Sequence, residues 1–235
     1  MIPIRDTIPR RHLPVTTWLL ISANVAAFVF EALLPPERLE LLVEHCGVIP
    51  ARTFDPAWAR REGLATPGAW PFLTSLFLHG GWLHVLGNVW TLAIFGDNVE
   101  DRLGPLRFLL FYLACGIAAG LVHLVTNASS TVPALGASGA IAGVMGAYLV
   151  LFPRARVVTL VPVLFWPVFV ELPAVVFLGV WFLAQFYSGT LALAQDAGAG
   201  GIAWWAHVGG FLAGIALLSV FGRSRPRAAR PQIVR

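Results

Sequence analysis

The chain has 235 residues, 57% of them hydrophobic and only 12% charged, whereas soluble domains carry about 25% charged residues, so an ordinary water-soluble fold is excluded. Its mean hydropathy of +0.76 and about six apolar stretches near the ~20 residues that cross a bilayer predict an all-α polytopic membrane protein. The net charge is +4, carried by Arg without any Lys: Arg5, Arg10 and Arg11 near one end, and Arg223, Arg225, Arg227, Arg230 and Arg235 near the other. That distribution follows the positive-inside rule and excludes a nucleic-acid-binding face.

Taken in order, residues 1–14 read as a short, basic cytoplasmic tail. Span 1 covers residues 15–34, with Asn24 and Glu31 inside it, and stops at Pro35-Pro36. No small-residue cleavage site follows it, so this span is expected to serve as its own signal. Residues 35–70 form the longest polar segment, balanced in charge and bearing Trp58 and Trp70, which suits a chain lying at the membrane interface with short amphipathic helices such as Glu37–Glu44. Span 2 covers residues 76–95, holds His79, His84 and Asn88, and ends at Gly96-Asp97-Asn98. Span 3 covers residues 106–125 with His123 near its end, and a polar loop follows.

Span 4 runs from Ser138 to Phe152 and stops at Pro153. Its length is roughly 22 Å of helix, short of the ~30 Å hydrocarbon core, so Ser138 at its start is expected below the membrane surface. The 157–170 run is apolar but broken by Pro162 and Pro167, and is not counted as a span. Span 5 covers residues 172–193, a Gly/Ala loop with Asp196 follows, and span 6 covers residues 202–221 before the basic tail 223–235. The expectation is one six-transmembrane-helix bundle over residues 15–222, with a short central helix 4 and both termini cytoplasmic, in a prokaryotic inner membrane. Cys46 and Cys115 fall in different environments and imply no disulfide framework.

Polar side chains inside hydrocarbon are costly without partners and are functional candidates by default. In span 4, Gly136-Ala137-Ser138-Gly139 opens a helix whose Gly139, Gly143 and Gly146 leave one face nearly bare. In span 6, His207 is followed at i+3 and i+7 by Gly210 and Gly214 on the same face. Two such faces can meet at backbone distance and present a hydroxyl to an imidazole, the pairing of a nucleophile with its base. The plainer reading is small-residue packing alone. His84 and Asn88, i and i+4 on span 2, can both donate hydrogen bonds toward a developing oxyanion; Asn88 alone also suits an interhelix hydrogen bond. Counted along their spans, Ser138, His207, His84 and Asn88 fall at similar depth, which independent packing residues have no reason to do. His79, His123 and Asn24 are assigned to packing, with His79 pointing elsewhere or near the surface. No metal site is indicated, since neither HxxxxH nor HxxxN brings a third ligand, and no cofactor is expected.

These motifs, with the run Glu100-Asp101-Arg102-Leu103-Gly104 after span 2, resemble the rhomboid family of intramembrane serine proteases over roughly residues 12–222. The resemblance implies a Ser-His dyad that hydrolyses a peptide bond of a membrane-spanning substrate. Ser138 would be the nucleophile and His207 the base, while His84, Asn88 and the backbone N–H of Ser138 would form the oxyanion hole. Two departures stand out. Trp70-Pro71 replaces the Trp-Arg often found before span 2, and Ala142 stands where some members place an aromatic residue against the histidine, leaving that contact to Trp204 or Trp205. The loop 194–201 is expected to take part in a substrate gate. No carboxylate is expected to complete a triad: Glu171 falls near the far face and Asp196 in a loose loop, so the second nitrogen of His207 should meet water or a neighbouring side chain. Partners are then transmembrane protein substrates and the lipid bilayer, with no nucleic acid. A polar-lined transporter or channel would use the same residues but needs no Ser-His pair and often shows internal repeats, which are not found. An inactive binder of transmembrane helices would have no need of both Ser138 and His207.

Overall fold

The computed structural model describes residues 1–65, 68–163, 166–194 and 203–222. A strand, β1 (Ile2–Asp6), leads into α1 (Val15–Leu33). Short helices fill the polar segment: α2 (Pro36–Cys46), α3 (Pro50–Phe54), α4 (Pro56–Arg61) and α5 (Pro71–Thr74). The long helices α6 (Trp82–Leu103) and α7 (Pro105–Thr126) come next, then α8 (Ser138–Leu151). Strands β2 (Arg156–Val163) and β3 (Trp166–Pro173) precede α9 (Ala174–Ala194) and α10 (Trp204–Phe221). Helices α2, α3, α4, α5 and α7 each open on proline, whose fixed φ suits the first helical turn and whose missing N–H costs nothing there.

Among the described residues, α1, α7, α9 and α10 are long and apolar enough to cross a membrane. Helix α6 is equally long, but its last turns carry Asp97, Glu100, Asp101 and Arg102. Large apolar side chains point outward, with Leu33 79% and Leu83 87% exposed, the reverse of a water-soluble surface and the arrangement lipid requires. Helix α8, of 14 residues, is buried at every position from Gly139 to Tyr148. A helix apolar all round belongs at the centre of a bundle, and α6, α7, α9 and α10 all pack on it.

The fold is mostly helical rather than all-α. Two stretches read otherwise from the sequence are strands, in an antiparallel sheet ordered β1-β2-β3. The beginning of the chain is not a free tail: Ile2 pairs with Leu160 and Asp6 with Val157, with an irregularity between Pro3 and Arg5. The 157–170 run forms a hairpin in which Pro162 stands opposite Pro167. The prolines that exclude a helix sit toward the hairpin's end, and the Val-rich remainder suits a pleated surface.

Span 2 is also corrected. Leu76 and Phe77 lie in a 3-10 turn, and α6 starts only after Gly81, whose φ of 154° departs from the helix. The helix then runs through Gly96-Asp97-Asn98 to Leu103, because its polar end is satisfied by the chain's beginning. Asn98 donates to Asp6 at 2.8 Å, and Asp101 accepts from the backbone N–H groups of Arg11 and His12. Glu100 accepts from Thr16 N–H at 2.9 Å and Thr17 N–H at 2.7 Å, an anion placed on the positive N-terminus of α1. At the other end of α1, the Glu31 carboxylate accepts from His79 N–H. Helix α1 is thereby fastened at one end to α6 itself and at the other to the chain just before it.

Candidate active site

Ser138 is the first residue of α8, and the run before it is fixed from several sides. Val48 and Ala134 exchange backbone hydrogen bonds, Ala51 N–H donates to the Ser130 carbonyl, and Gly136 N–H donates to the Ser75 carbonyl at 2.8 Å. The segment 48–51, part of the polar connection, therefore acts as a brace for the approach to α8. Arg52, the next residue, is buried with its guanidinium donating to the carbonyls of Ala65 and Glu44. Gly136 has φ 118°, a region that favours glycine. A Cβ there would stand 2.7 Å from His84 Nε2 and 3.5 Å from Asn88 Nδ2. Gly136, expected from the sequence to serve helix packing with the glycines that follow it, thus faces α6 rather than α10.

The contact with α10 is made by the other glycines. A Cβ on Gly210 would run into the Gly139 carbonyl oxygen, one on Gly214 into the Gly143 carbonyl oxygen, and one on Gly146 into the Phe211 carbonyl oxygen. Backbone meets backbone along α8 and α10, an approach that only residues without side chains permit.

This closeness brings together residues 69 positions apart. His207, one turn into α10, places Nε2 2.8 Å from Ser138 Oγ, and its Nδ1 lies 2.7 Å from Gln185 Oε1 on α9. An amide oxygen only accepts, so Nδ1 carries the proton in this arrangement and Nε2 accepts from the Ser138 hydroxyl. The ring is flanked by Trp181 at 6.0 Å and, edge-on, by Trp204 at 6.4 Å between centroids. Trp205, the other tryptophan suggested by the sequence, instead donates to the Gly189 carbonyl and packs on Phe186.

A cavity of about 1110 Å³ opens over the pair, and His84, Asn88, Ser138, Trp181, Trp204 and His207 all line it. Asn88 is 7% exposed and its amide nitrogen has no hydrogen-bond partner among the described residues. A buried donor left without a partner is expensive, and here it is held beside the approach to Ser138. His84 and Asn88 share one face of α6, as their spacing requires. His79 lies ahead of that helix; it is buried, not near the surface, with its ring edge-on to His84 at 5.2 Å. His123 also lines the cavity, its Nδ1 accepting from the Asn127 amide. Glu171 lies exposed on β3 opposite Val158, at the sheet end of the molecule and away from Ser138. Asp196, most of the 194–201 loop and the 223–235 tail lie outside the described residues. Among the described residues no three His, Cys, Asp or Glu side chains are grouped to hold a metal ion.

A family model described as Rhomboid domain matches residues 66–224. The chain belongs to the rhomboid family. It is 34% identical over 137 residues to the rhomboid protease GluP of Bacillus subtilis, covering 58% of this chain and 24% of that protein. To RHOMBOID-like protein 5 of Arabidopsis thaliana it is 34% identical over 80 residues, 34% of this chain and 26% of that one. To the mitochondrial presenilin-associated rhomboid-like protein of Mus musculus it is 33% identical over 101 residues, 42% of this chain and 26% of that one. The chain thus matches about a quarter of the length of each of these relatives.

This rhomboid is an integral membrane protein, and its helix α9 contributes two residues that sequence reasoning passed over. Trp181 and Gln185 are i and i+4 on the face that also buries Phe177 and Leu178. The signal was present: Gln185 is a strongly polar residue in an apolar span, the same property that singled out His84 and Asn88.

Proposed function

We propose that this rhomboid is an intramembrane serine endopeptidase that cleaves peptide bonds in or near the transmembrane segments of membrane proteins. Ser138 Oγ attacks the scissile carbonyl carbon while His207 Nε2 takes the hydroxyl proton, and the same proton later passes to the departing amine. The carbonyl oxygen, negative in the tetrahedral intermediate, is met by Asn88, His84 and the Ser138 N–H, which is free of intrahelical bonding at the start of α8. Water then releases the acyl group by the same route in reverse. The observation that carries the reading is the 2.8 Å contact between Ser138 Oγ and His207 Nε2, made within a cavity beside a buried, unpartnered amide donor.

In this reading α6 and α8 join the four long apolar helices as a six-span bundle, with residues 15–222 as its membrane domain. Arg102, Arg107, Arg154 and Arg156 stand toward the sheet end with Arg5, Arg10 and Arg11, and the positive-inside rule supports a cytoplasmic assignment of that end. Both termini lie on that side, in a prokaryotic inner membrane, and Ser138 opens toward the opposite face. Purified protein should react with a fluorophosphonate probe and cleave a model transmembrane substrate. Ser138→Ala should remove both activities while unfolding like the wild type. Labelling or cleavage that persists in Ser138→Ala would overturn the assignment.

A further inference from the structure

We propose that Gln185 is a positioning residue for His207: its side-chain oxygen accepts the Nδ1–H and holds the neutral ring in the tautomer whose Nε2 lone pair faces Ser138. The inference rests on the hydrolytic reading of that pair. A neutral imidazole carries one N–H, and a base for Ser138 must carry it on Nδ1. Left to itself the ring exchanges between the two forms, and in the wrong one Nε2–H donates to Ser138 Oγ, which then keeps its proton. A serine protease triad settles this with a carboxylate, yet a carboxylate buried among membrane helices is expensive. A neutral amide supplies the same acceptor without the charge.

The geometry fits that task. Gln185 Oε1 lies 2.7 Å from His207 Nδ1, and Gln185 is 8% exposed. One turn earlier on α9, Trp181 lies against the same ring, and Trp204 meets it edge-on. The ring is therefore confined by two indoles and tied at each nitrogen, one to Ser138 and one to Gln185. Nothing else among the described residues bonds to Nδ1. Glu171 is far off on the sheet, so the amide stands where a triad places its acid.

The test uses the full chain in detergent with 15N-labelled histidine, the His207 signals being identified by their loss in His207→Asn. The wild-type ring should be neutral with its proton on Nδ1; a proton on Nε2 overturns the proposal, and this measurement needs no variant at position 185. Gln185→Leu keeps the volume and removes the acceptor. It should mix the two tautomers and lower kcat about 10- to 100-fold with KM unchanged, the effect of losing one buried hydrogen bond. Gln185→Glu restores an acceptor and should recover most of that kcat. A folded Gln185→Leu with wild-type tautomer and kcat overturns the proposal, as does a folded Gln185→Glu no better than Gln185→Leu. Should Ser138→Ala still cleave, the hydrolytic reading falls, whereas the nitrogen spectrum reports on Gln185 whatever the reaction.

Discussion

Asn88 shows how a single side chain becomes a candidate for function. Its amide nitrogen is buried and, among the described residues, unpartnered, at a cost that packing alone does not repay. Asn88→Ala should lower kcat about 10²-fold, the mild end of the range for losing one oxyanion donor, because His84 and the Ser138 N–H remain. Thermal unfolding should be little changed; unchanged kcat with a lowered midpoint would make Asn88 a structural residue. At this scale the sequence was informative because hydrocarbon tolerates few polar groups: Ser138, His207, His84 and Asn88 each stood out against apolar neighbours, and all four line one cavity. The same rule marks Gln185, which went unread because it stands outside the serine and histidine motifs. Trp181 could not be singled out at all, since tryptophan in a membrane helix has many ordinary reasons to be there.

Among the helices, α8 and α10 depend on each other most closely. Gly210→Val should abolish activity, because a side chain at that position collides with the Gly139 carbonyl and the Ser138–His207 bond tolerates only about 2.6–3.2 Å. The overpacking should cost about 1–3 kcal/mol of stability, read as a lower unfolding midpoint in detergent; a fully active Val variant would show that the two backbones need not touch. Spans 1, 3 and 4 were legible almost to the residue, since each is a continuous apolar run closed by proline or polar residues. The hairpin of β2 and β3 was not, because its pairing lies between strands and its prolines only exclude a helix without naming the alternative. Nor was the true extent of α6, whose charged end looks like a loop until Thr16, Thr17 and the start of the chain are brought to it.

Across the whole molecule, the chain's beginning is bound to three distant places at once: β1 to β2, Asp101 to the backbone before α1, and Asp6 to α6 and α8. The Asp6 carboxylate accepts from the Tyr148 hydroxyl and the Asn98 amide. Burial nevertheless raises its pKa above the ordinary carboxylate value, the Tyr148 hydrogen bond offsetting only part of that rise. A folded-state pKa above the unfolded one means stability that is fully present below about pH 4 and is lost as pH rises through the folded-state value. The unfolding midpoint should therefore fall over that interval, and Asp6→Asn should flatten this part of the profile. An unaltered profile in Asp6→Asn would assign the dependence to other groups. Glu100→Gln leaves an amide where a carboxylate met two backbone N–H groups at the start of α1, and should cost about 1–3 kcal/mol, seen as a lower unfolding midpoint with KM for a soluble peptide ester unchanged.

The pairing of Ile2 with Leu160 also imposes an order of events at the ribosome. Strand β1 is made first but has no partner until β2 emerges, roughly 150 residues later, or about 8–30 s at a synthesis rate of ~5–20 residues per second. By then α1, α6, α7 and α8 have all been synthesised. The sheet accordingly closes as a late latch, and only a chain whose intervening helices have brought residues 2–6 and 156–163 to the same side of the membrane can fasten it.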